Sequence, residues 1–306
     1  MSAVTPDQTA PKRNLRGASA GASWSNLIFV LPYLIIFAVL LVFPLFYGMY
    51  ISAHSTDMFD DTSKFSGLAN YTRLFKDAIF LGALRNTFLF VAITVPVFTI
   101  LGLTLAIALN RRTRTAAVLR ATFFGTSVLS VTIVTIIWKM MYLPDFGMFA
   151  SVVKAAGFEP IPFLTNAHLV MPAISIVTVW WGIGLPMMLF LAALQQIPNE
   201  LYEAAALDNA GRWKTLRFII LPAVARTTLV VVIYEIIAQF QLFGQAWLLT
   251  QGGPNNSSRP VVEFIYEKGF RDWDLGYAAS ASEVLFSIMV AVALLQYFAT
   301  RKRHED

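Results

Sequence analysis

The sequence contains no cysteine. Disulfides, iron–sulfur clusters and thiol catalysis are thereby excluded, while the redox state of the compartment stays open. Histidine is scarce too: His54, His168 and His304 lie far apart and their spacing makes no metal site. Charged residues are only 13% of the 306 positions against 57% apolar ones, far from the balance of a soluble domain, which makes the bilayer the expected solvent. No G-x-x-x-x-G-K-[ST] occurs, so the chain lacks the usual loop that cradles the phosphates of ATP. No loop is long enough to bury a core of its own, and the two halves show no obvious repetition. The formal charge of +5 could suggest nucleic acid, but the basic residues stand in short clusters beside apolar runs rather than in a patch with aromatics. They read as topology signals, with no nucleic-acid partner implied.

What the chain does have is six long apolar runs, at 27–51, 86–110, 121–142, 169–194, 223–250 and 277–300. Each is long enough to span a bilayer, so the predicted fold class is all-α, a polytopic membrane protein with six transmembrane helices in one domain over 27–300. Residues 1–26 are polar and predict a flexible cytoplasmic tail; residues 301–306 predict a second one. The run at 27–51 is too long for a signal-peptide core and lacks a small-residue cleavage site, so it reads as an uncleaved first span. Pro96, Gly102, Pro172, Gly182, Gly184 and Pro186 predict kinks or close helix approaches within the spans. Fourteen Lys and Arg fall on the side of the N-terminus: three in the tail, four between spans two and three, four around 196–222, and three in Arg301-Lys302-Arg303. Eight lie on the other side, spread over longer loops, with Lys139 inside a span. The positive-inside rule then makes both termini and the 196–222 loop cytoplasmic.

That loop, QIPNELYEAAALDNAGRWKTLRFIILP, is the stretch most like soluble helix. Pro198 and Asn199 are start signals, with Asn199 able to accept a bond from a first-turn N–H, and Glu200 and Glu203 sit where a helix dipole favours anions. Leu201, Ala204, Ala205 and Leu207 offer a small, smooth apolar face. Asp208, Asn209 and Gly211 predict a turn, and a second helix from Arg212 should carry Trp213, Leu216 and Ile220 on one side until Pro222. The spacing resembles the EAA motif of the inner-membrane permeases of ATP-binding-cassette importers. Glu203-Ala204-Ala205 opens it, Ile219, Leu221 and Pro222 close it, and Asn209 occupies the glycine position. Asparagine is the non-glycine residue that best tolerates positive φ, which preserves the turn.

The resemblance extends over nearly the whole chain. Pro32, Pro44, Asn86-Thr87, the Leu249-Thr250-Gln251-Gly252-Gly253-Pro254 stretch and Gly276-Tyr277-Ala278-Ala279 are similar to the carbohydrate-uptake branch, the maltose and glycerol-phosphate permease-like members. Leu216 and Arg226 depart from the branch, which often has Phe and Pro there. The resemblance implies a non-enzymatic subunit forming half of a translocation pathway for a sugar or related solute, located in a bacterial cytoplasmic membrane. Its partners would be a homologous second permease, two cytoplasmic ABC ATPases and an extracytoplasmic solute-binding protein. ATP and Mg would be bound by the ATPases, leaving no cofactor in this chain. Glu203, Ala204, Ala205, Asp208, Asn209 and Gly211 would then form the element that fits a cleft of the ATPase.

Polar residues within spans mark the solute pathway. Glu235, Gln239, Gln241 and Gln245 lie in an otherwise apolar run, and a carboxylate at membrane depth normally faces protein or water. At about 100° per residue, Glu235, Gln239 and Leu242 share one stripe, and Tyr234, Ala238, Gln241 and Gln245 the next. Amides and carboxylates hydrogen-bond sugar hydroxyls, and aromatic faces pack on a sugar's C–H surfaces. Bonding between neighbouring helices is the plainer reading for any one of them. In the fourth run Thr178, Trp181, Gly182 and Leu185 fall on one side, with Trp180 adjacent. The family lines its path with the corresponding positions of that run and with Gln239 and Gln241, and a third-span contribution would fall near Ser127 and Val131. Asp272-Trp273-Asp274 matches a short metal-binding pattern of some glycosyltransferases, but a solvated turn fits an outward loop better, and no metal site is expected. Lys139 could contact an anion, with snorkelling to the interface as the default. An ion-driven secondary transporter would call for several intramembrane ionisable groups, whereas the runs offer chiefly Glu235, and it leaves the 196–222 loop without a role.

Overall fold

Helices form where the apolar runs are, but their ends follow caps and turns rather than charges. A computed structural model describes residues 23–55 and 64–301. The tails expected at 1–26 and 301–306 fall largely outside them. The chain divides into two units, Met1–Tyr50 and Ile51–Asp306. In the first, α1 (Ser23–Phe37) passes through a π-helical turn, Ala38–Val42, into α2 (Phe43–Ser52). The Phe43 N–H donates to the Ala38 carbonyl, five residues back, immediately before Pro44. A proline ring collides with the carbonyl four residues before it in a regular α-helix, and the widened turn takes up that collision without ending the helix.

In the second unit a two-stranded pairing of β1 (His54–Ser55) with β2 (Lys64–Phe65) leads to α3 (Ala69–Leu74). Then α4 runs over Ala78–Leu109. Its start lies eight residues before the expected 86 because Asp77 caps it, accepting from the Ile79 and Phe80 N–H groups. Arg85 is carried on an exposed face, so its charge marks no boundary. The helix holds 32 residues, about 48 Å at 1.5 Å per residue, more than a bilayer's hydrocarbon core requires.

The third run is not one helix. It comprises α5 (Arg114–Thr126) and α6 (Val131–Tyr142), bent by 98°, with Ser130 capping α6 through the Thr132 N–H. After α7 (Met148–Ala155), the fourth run comprises α8 (Val170–Gly182) and α9 (Gly184–Leu194), bent by 50° at Ile183. A Cβ on Gly184 would stand 2.6 Å from the Phe124 Cα, so glycine lets α9 start against the backbone of α5. Next come α10 (Asn199–Leu207) and α11 (Arg212–Thr215), then a π-turn over Leu216–Ile220 and α12 (Leu221–Phe240). The segment that follows carries α13 (Gly244–Thr250) and α14 (Val261–Tyr266), then a third π-turn at Glu267–Arg271, and α15 (Leu275–Arg301) is the last described element. Four of the described helices are long and apolar enough to cross a membrane, or up to six spans if each bent pair counts as one.

Two expectations for the 196–222 loop are corrected. Asn199 does not cap α10; it is the first helical residue, following Pro198, and makes no side-chain cap bond. Pro222 does not end the second helix. The Leu221 N–H donates to the Leu216 carbonyl in a π-turn just before the proline, and the helix continues unbroken over Arg212–Phe240. The fifth run is shorter at its other end than expected, since α12 stops at Phe240 and residues 241–243 leave the helix before α13.

The core sits around α4, which packs on α8, α9, α12 and α14. One cluster gathers Phe90, Trp138, Tyr142, Ile174 and Leu249; a second Phe80, Phe240, Phe264 and Tyr277; a third Met187, Phe190, Leu194, Ile197, Ile220 and Val231. Ile197 and Ile220, at the two ends of the 196–222 loop, belong to the third cluster, so the loop is anchored to the bundle by apolar burial.

Candidate functional site: a polar cavity and an exposed loop

A cavity of about 400 Å³ lies between α4, α5, the bend of α8 and α9, and the last turns of α12. Of the residues expected in the pathway it brings together Ser127, Thr178, Trp181, Gly182, Leu185, Glu235 and Gln239, with Tyr234 and Gln245 beside them. Gln239 Nε2 donates to Glu235 Oε2 at 2.8 Å, one helical turn apart, and both side chains are buried. The Thr178 hydroxyl donates to the Ile174 carbonyl of its own helix. Trp181 Nε1 donates to the Leu129 carbonyl at 3.0 Å, and Thr126 Oγ1 to the Trp181 carbonyl at 3.1 Å, which ties the bend between α5 and α6 to the bend between α8 and α9.

Gln241 and Val131 stand elsewhere. The stripe that grouped Gln241 with Tyr234, Ala238 and Gln245 assumed a continuous helix, but Gln241 is the C-cap of α12; it is exposed and its amide returns to the Ile237 carbonyl. Val131, at the start of α6, faces Gly244, where a Cβ would come within 3.0 Å of its Cγ2. Two cavity residues were not singled out in the sequence, Phe98 and Phe124. The signal for Phe98 was Gly182: a Cβ there would lie 3.2 Å from the Phe98 ring, so the small residue on one helix marks an aromatic on the other.

The 196–222 loop forms the helix-turn-helix expected of it. The turn is a left-handed helix cap: Asn209 has φ 51°, its N–H donates to the Ala206 carbonyl at 3.2 Å, and the Ala210 N–H reaches the Ala205 carbonyl at 2.8 Å. Glu203, Ala204, Asp208, Asn209 and Gly211 are exposed, and Glu203 has no ion-pair partner among the described residues. Ala205 differs from its expected place on the outer apolar face. It is buried against its own chain, so the apolar part of the open surface is Leu201, Ala204, Ala206 and Leu207, the last 85% exposed.

On the other side of the bundle, two stretches 170 residues apart meet. Asn86 Nδ2 donates to the carbonyls of Asn256 and Arg259, and the Val261 N–H donates to Thr87 Oγ1 at 3.0 Å. The glycine-proline turn closes on itself through Ser258 Oγ, 2.8 Å from Thr250 Oγ1 and 2.6 Å from the Gly253 carbonyl. Beneath it Glu263 is fully buried and neither carboxylate oxygen has a hydrogen-bond partner. Burial, reinforced by the nearby Glu267 charge and opposed by Arg259, pushes its carboxyl up to about 7. Gly252, with φ 75°, has no room for a Cβ, which would stand 2.6 Å from Glu263 Oε1. The acids of the Asp-x-Asp stretch are engaged in ion pairs, Asp272 with Lys268 and Asp274 with Arg73, both at 2.7 Å. No group of three potential metal ligands occurs among the described residues.

Residues 87–304 match the family described as the binding-protein-dependent transport system inner membrane component. The chain belongs to that family. The permease is 30% identical over 284 residues to the probable ABC transporter permease protein YurN of Bacillus subtilis, covering 89% of this chain and 97% of that one. It is 32% identical to the lactose transport system permease protein LacF of Rhizobium radiobacter, over 90% and 94% of the two chains. Its fold matches a chain in the crystal structure of a bacterial alginate ABC transporter in complex with an alginate pentasaccharide-bound periplasmic protein, with a TM-score of 0.81, 20% identity, and 91% and 94% coverage. It is thus a membrane component of an ABC importer that works with a binding protein, and not an enzyme.

Proposed function

We propose that the permease forms half of the pathway for a sugar or related polar solute, and that the cavity at Glu235 and Gln239 is part of that pathway. The observation that carries this reading is the pairing, in one cavity, of a buried carboxylate and amide with the aromatic side chains of Phe98, Trp181 and Tyr234. Hydroxyl-rich solutes need both kinds of group. The name of the lactose permease relative supports the same solute class. The other half of the pathway is a homologous permease, and two cytoplasmic ATPases supply the energy by binding ATP and Mg. An extracytoplasmic binding protein delivers the solute. The loop at 196–222 couples the ATPases to the pathway through the exposed Glu203, Ala204 and Asp208 surface, with Ala205 supporting it from within, and lies in the cytoplasm together with both termini. Co-expression with the partner subunits in a strain lacking other uptake routes tests the assignment. Glu203→Lys should insert in the membrane normally yet lose at least tenfold in solute-stimulated ATP hydrolysis. Normal recovery of the complex together with normal stimulated hydrolysis would sink the coupling role of Glu203.

A further inference from the structure

A second cavity, of about 630 Å³, opens between the connection from α4 to α5 and the connection from α9 to α10. Its charged lining is of one sign: Arg111, Arg112 and Arg120, accompanied by the side-chain amides of Gln195, Gln196 and Asn199, with no acidic residue contributing. None of the three arginines has a carboxylate within ion-pair distance among the described residues. Among the described residues their side chains engage one protein acceptor, the Leu109 carbonyl, at a long 3.4 Å from Arg120 Nη1. The fold itself gathers the charges. Asn110 ends α4, the Arg111 N–H turns back to the Leu109 carbonyl at 2.8 Å, and Thr113 caps α5, which brings Arg120 round to face the same space. Like charges held together without a counter-ion repel, so the site is built for an anion.

We propose that this cavity binds the phosphate-bearing headgroup of an acidic glycerophospholipid. The shared chemistry is a phosphate held by guanidinium forks, which bind its oxygens in pairs. Two features favour a lipid over free phosphate. The cavity stands at the end of α4, an apolar helix long enough to span, and at the end of the bent α8–α9 pair, and the buried Leu194 and Ile197 line it, which fits a mouth at the depth where headgroups lie. Its volume also exceeds that of a phosphate ion several times over, and the three amides give the glycerol hydroxyls of a headgroup something to bond. A bound headgroup would bridge the α4–α5 connection to the base of α10. The charge and shape of this cavity, together with the family's place in the membrane, favour such a headgroup whatever the coupling role of the loop.

The test is thermal unfolding of the purified full chain in a neutral detergent, titrated separately with phosphatidylglycerol, phosphatidylcholine and inorganic phosphate. Native mass spectrometry counts retained lipid on the same samples. Phosphatidylglycerol is expected to raise the midpoint by several degrees and phosphatidylcholine to leave it unchanged. Arg111→Gln with Arg112→Gln, and Arg120→Gln separately, should lose most of that shift and most of the retained lipid. Their midpoints in phosphatidylcholine should stay within about a degree of the parent, because the removed charges repel one another. Arg212→Gln with Lys214→Gln should keep the shift. Inorganic phosphate reproducing the whole effect would replace the lipid with a soluble anion and overturn the proposal. A shift that survives in all the arginine variants would overturn it as well, as would loss of ATPase co-purification by those variants with lipid retention unaltered, which would make the cavity a docking point for acidic protein.

Discussion

At the scale of single residues, the polar groups of the spans divide by what they meet. Glu235 and Gln239 satisfy each other inside an apolar surround, so removing one leaves the other without that partner; Gln239→Leu should cost about 1–3 kcal/mol of stability. Because the chain has no cysteine, Gln239→Cys gives a clean probe. A small water-soluble thiol reagent should label it, and transported solute should slow labelling several-fold, whereas Gln241→Cys should label without solute protection. Equal protection at both would contradict the division seen in the cavity. Glu263 gives a prediction in pH. Its carboxyl is raised from an ordinary 4.5 to about 7, so the folded chain holds the proton that an unfolded chain has already lost between those values. Stability therefore falls as pH rises from about 4.5 to 7, by at most about 1.4 kcal/mol per unit, and the loss is complete above 7. Glu263→Gln should flatten the decline in a midpoint-against-pH series; an identical slope in both proteins would refute it. Glu235, Gln239, Thr178 and Gly182 were legible as a set because helical periodicity holds where they stand. Gln241 was not, because no pattern of residue types shows that α12 stops one residue before it.

At the scale of elements, the turn at Asn209 is the most specific prediction the sequence supports. The left-handed φ of 51° and the N–H bond to Ala206 are both incompatible with proline, which fixes φ near −65° and has no N–H. Asn209→Pro should insert in the membrane but lose ATP-driven uptake, with a local cost of about 3 kcal/mol or more. Asn209→Gly should remain active, and Asn209→Val should fall between them, since a β-branched residue resists positive φ. Full uptake by the proline variant would show that the turn does not position the loop. The turn was readable because asparagine in a glycine position has few structural reasons. The breaks in the third and fourth spans were readable only in part. Gly182 and Gly184 marked the bend at Ile183, but a 98° bend at 127–130 needs the tertiary bonds of Trp181 and Thr126, which no local window contains. Pro222 misled for the opposite reason. Proline ends an α-helix by rule, and only the π-turn before it lets the helix go on.

At the scale of the whole molecule, the arrangement across the membrane is the prediction to test. Lys and Arg counts favour a cytoplasmic loop at 196–222, so Asp208→Cys should react with an impermeant thiol reagent only in inside-out vesicles, and Asn256→Cys only in right-side-out ones. The reverse pattern would invert the topology. Composition alone disclosed the bilayer as solvent, and the spacing of the apolar runs disclosed the membrane-crossing segments to within several residues at most ends. The three apolar clusters around α4 were not disclosed, since runs that are hydrophobic all round give no direction in which to pack.

The bonds from Asn86 and Thr87 to the glycine-proline segment have a mechanical consequence. That segment is not a free flap but a handle riveted to one end of a single long beam, α4. Phe98, on the cavity wall, lies eleven residues further along the same beam than Thr87, about 17 Å by helical rise. A pull on the handle would enter the beam directly and reach an aromatic wall of the cavity through α4 alone, crossing Pro96, where the helix lacks one backbone donor. Cutting the rivet takes both residues: Asn86→Ala with Thr87→Val should leave the handle attached to its own turn through Ser258 while uncoupling its motion from the wall.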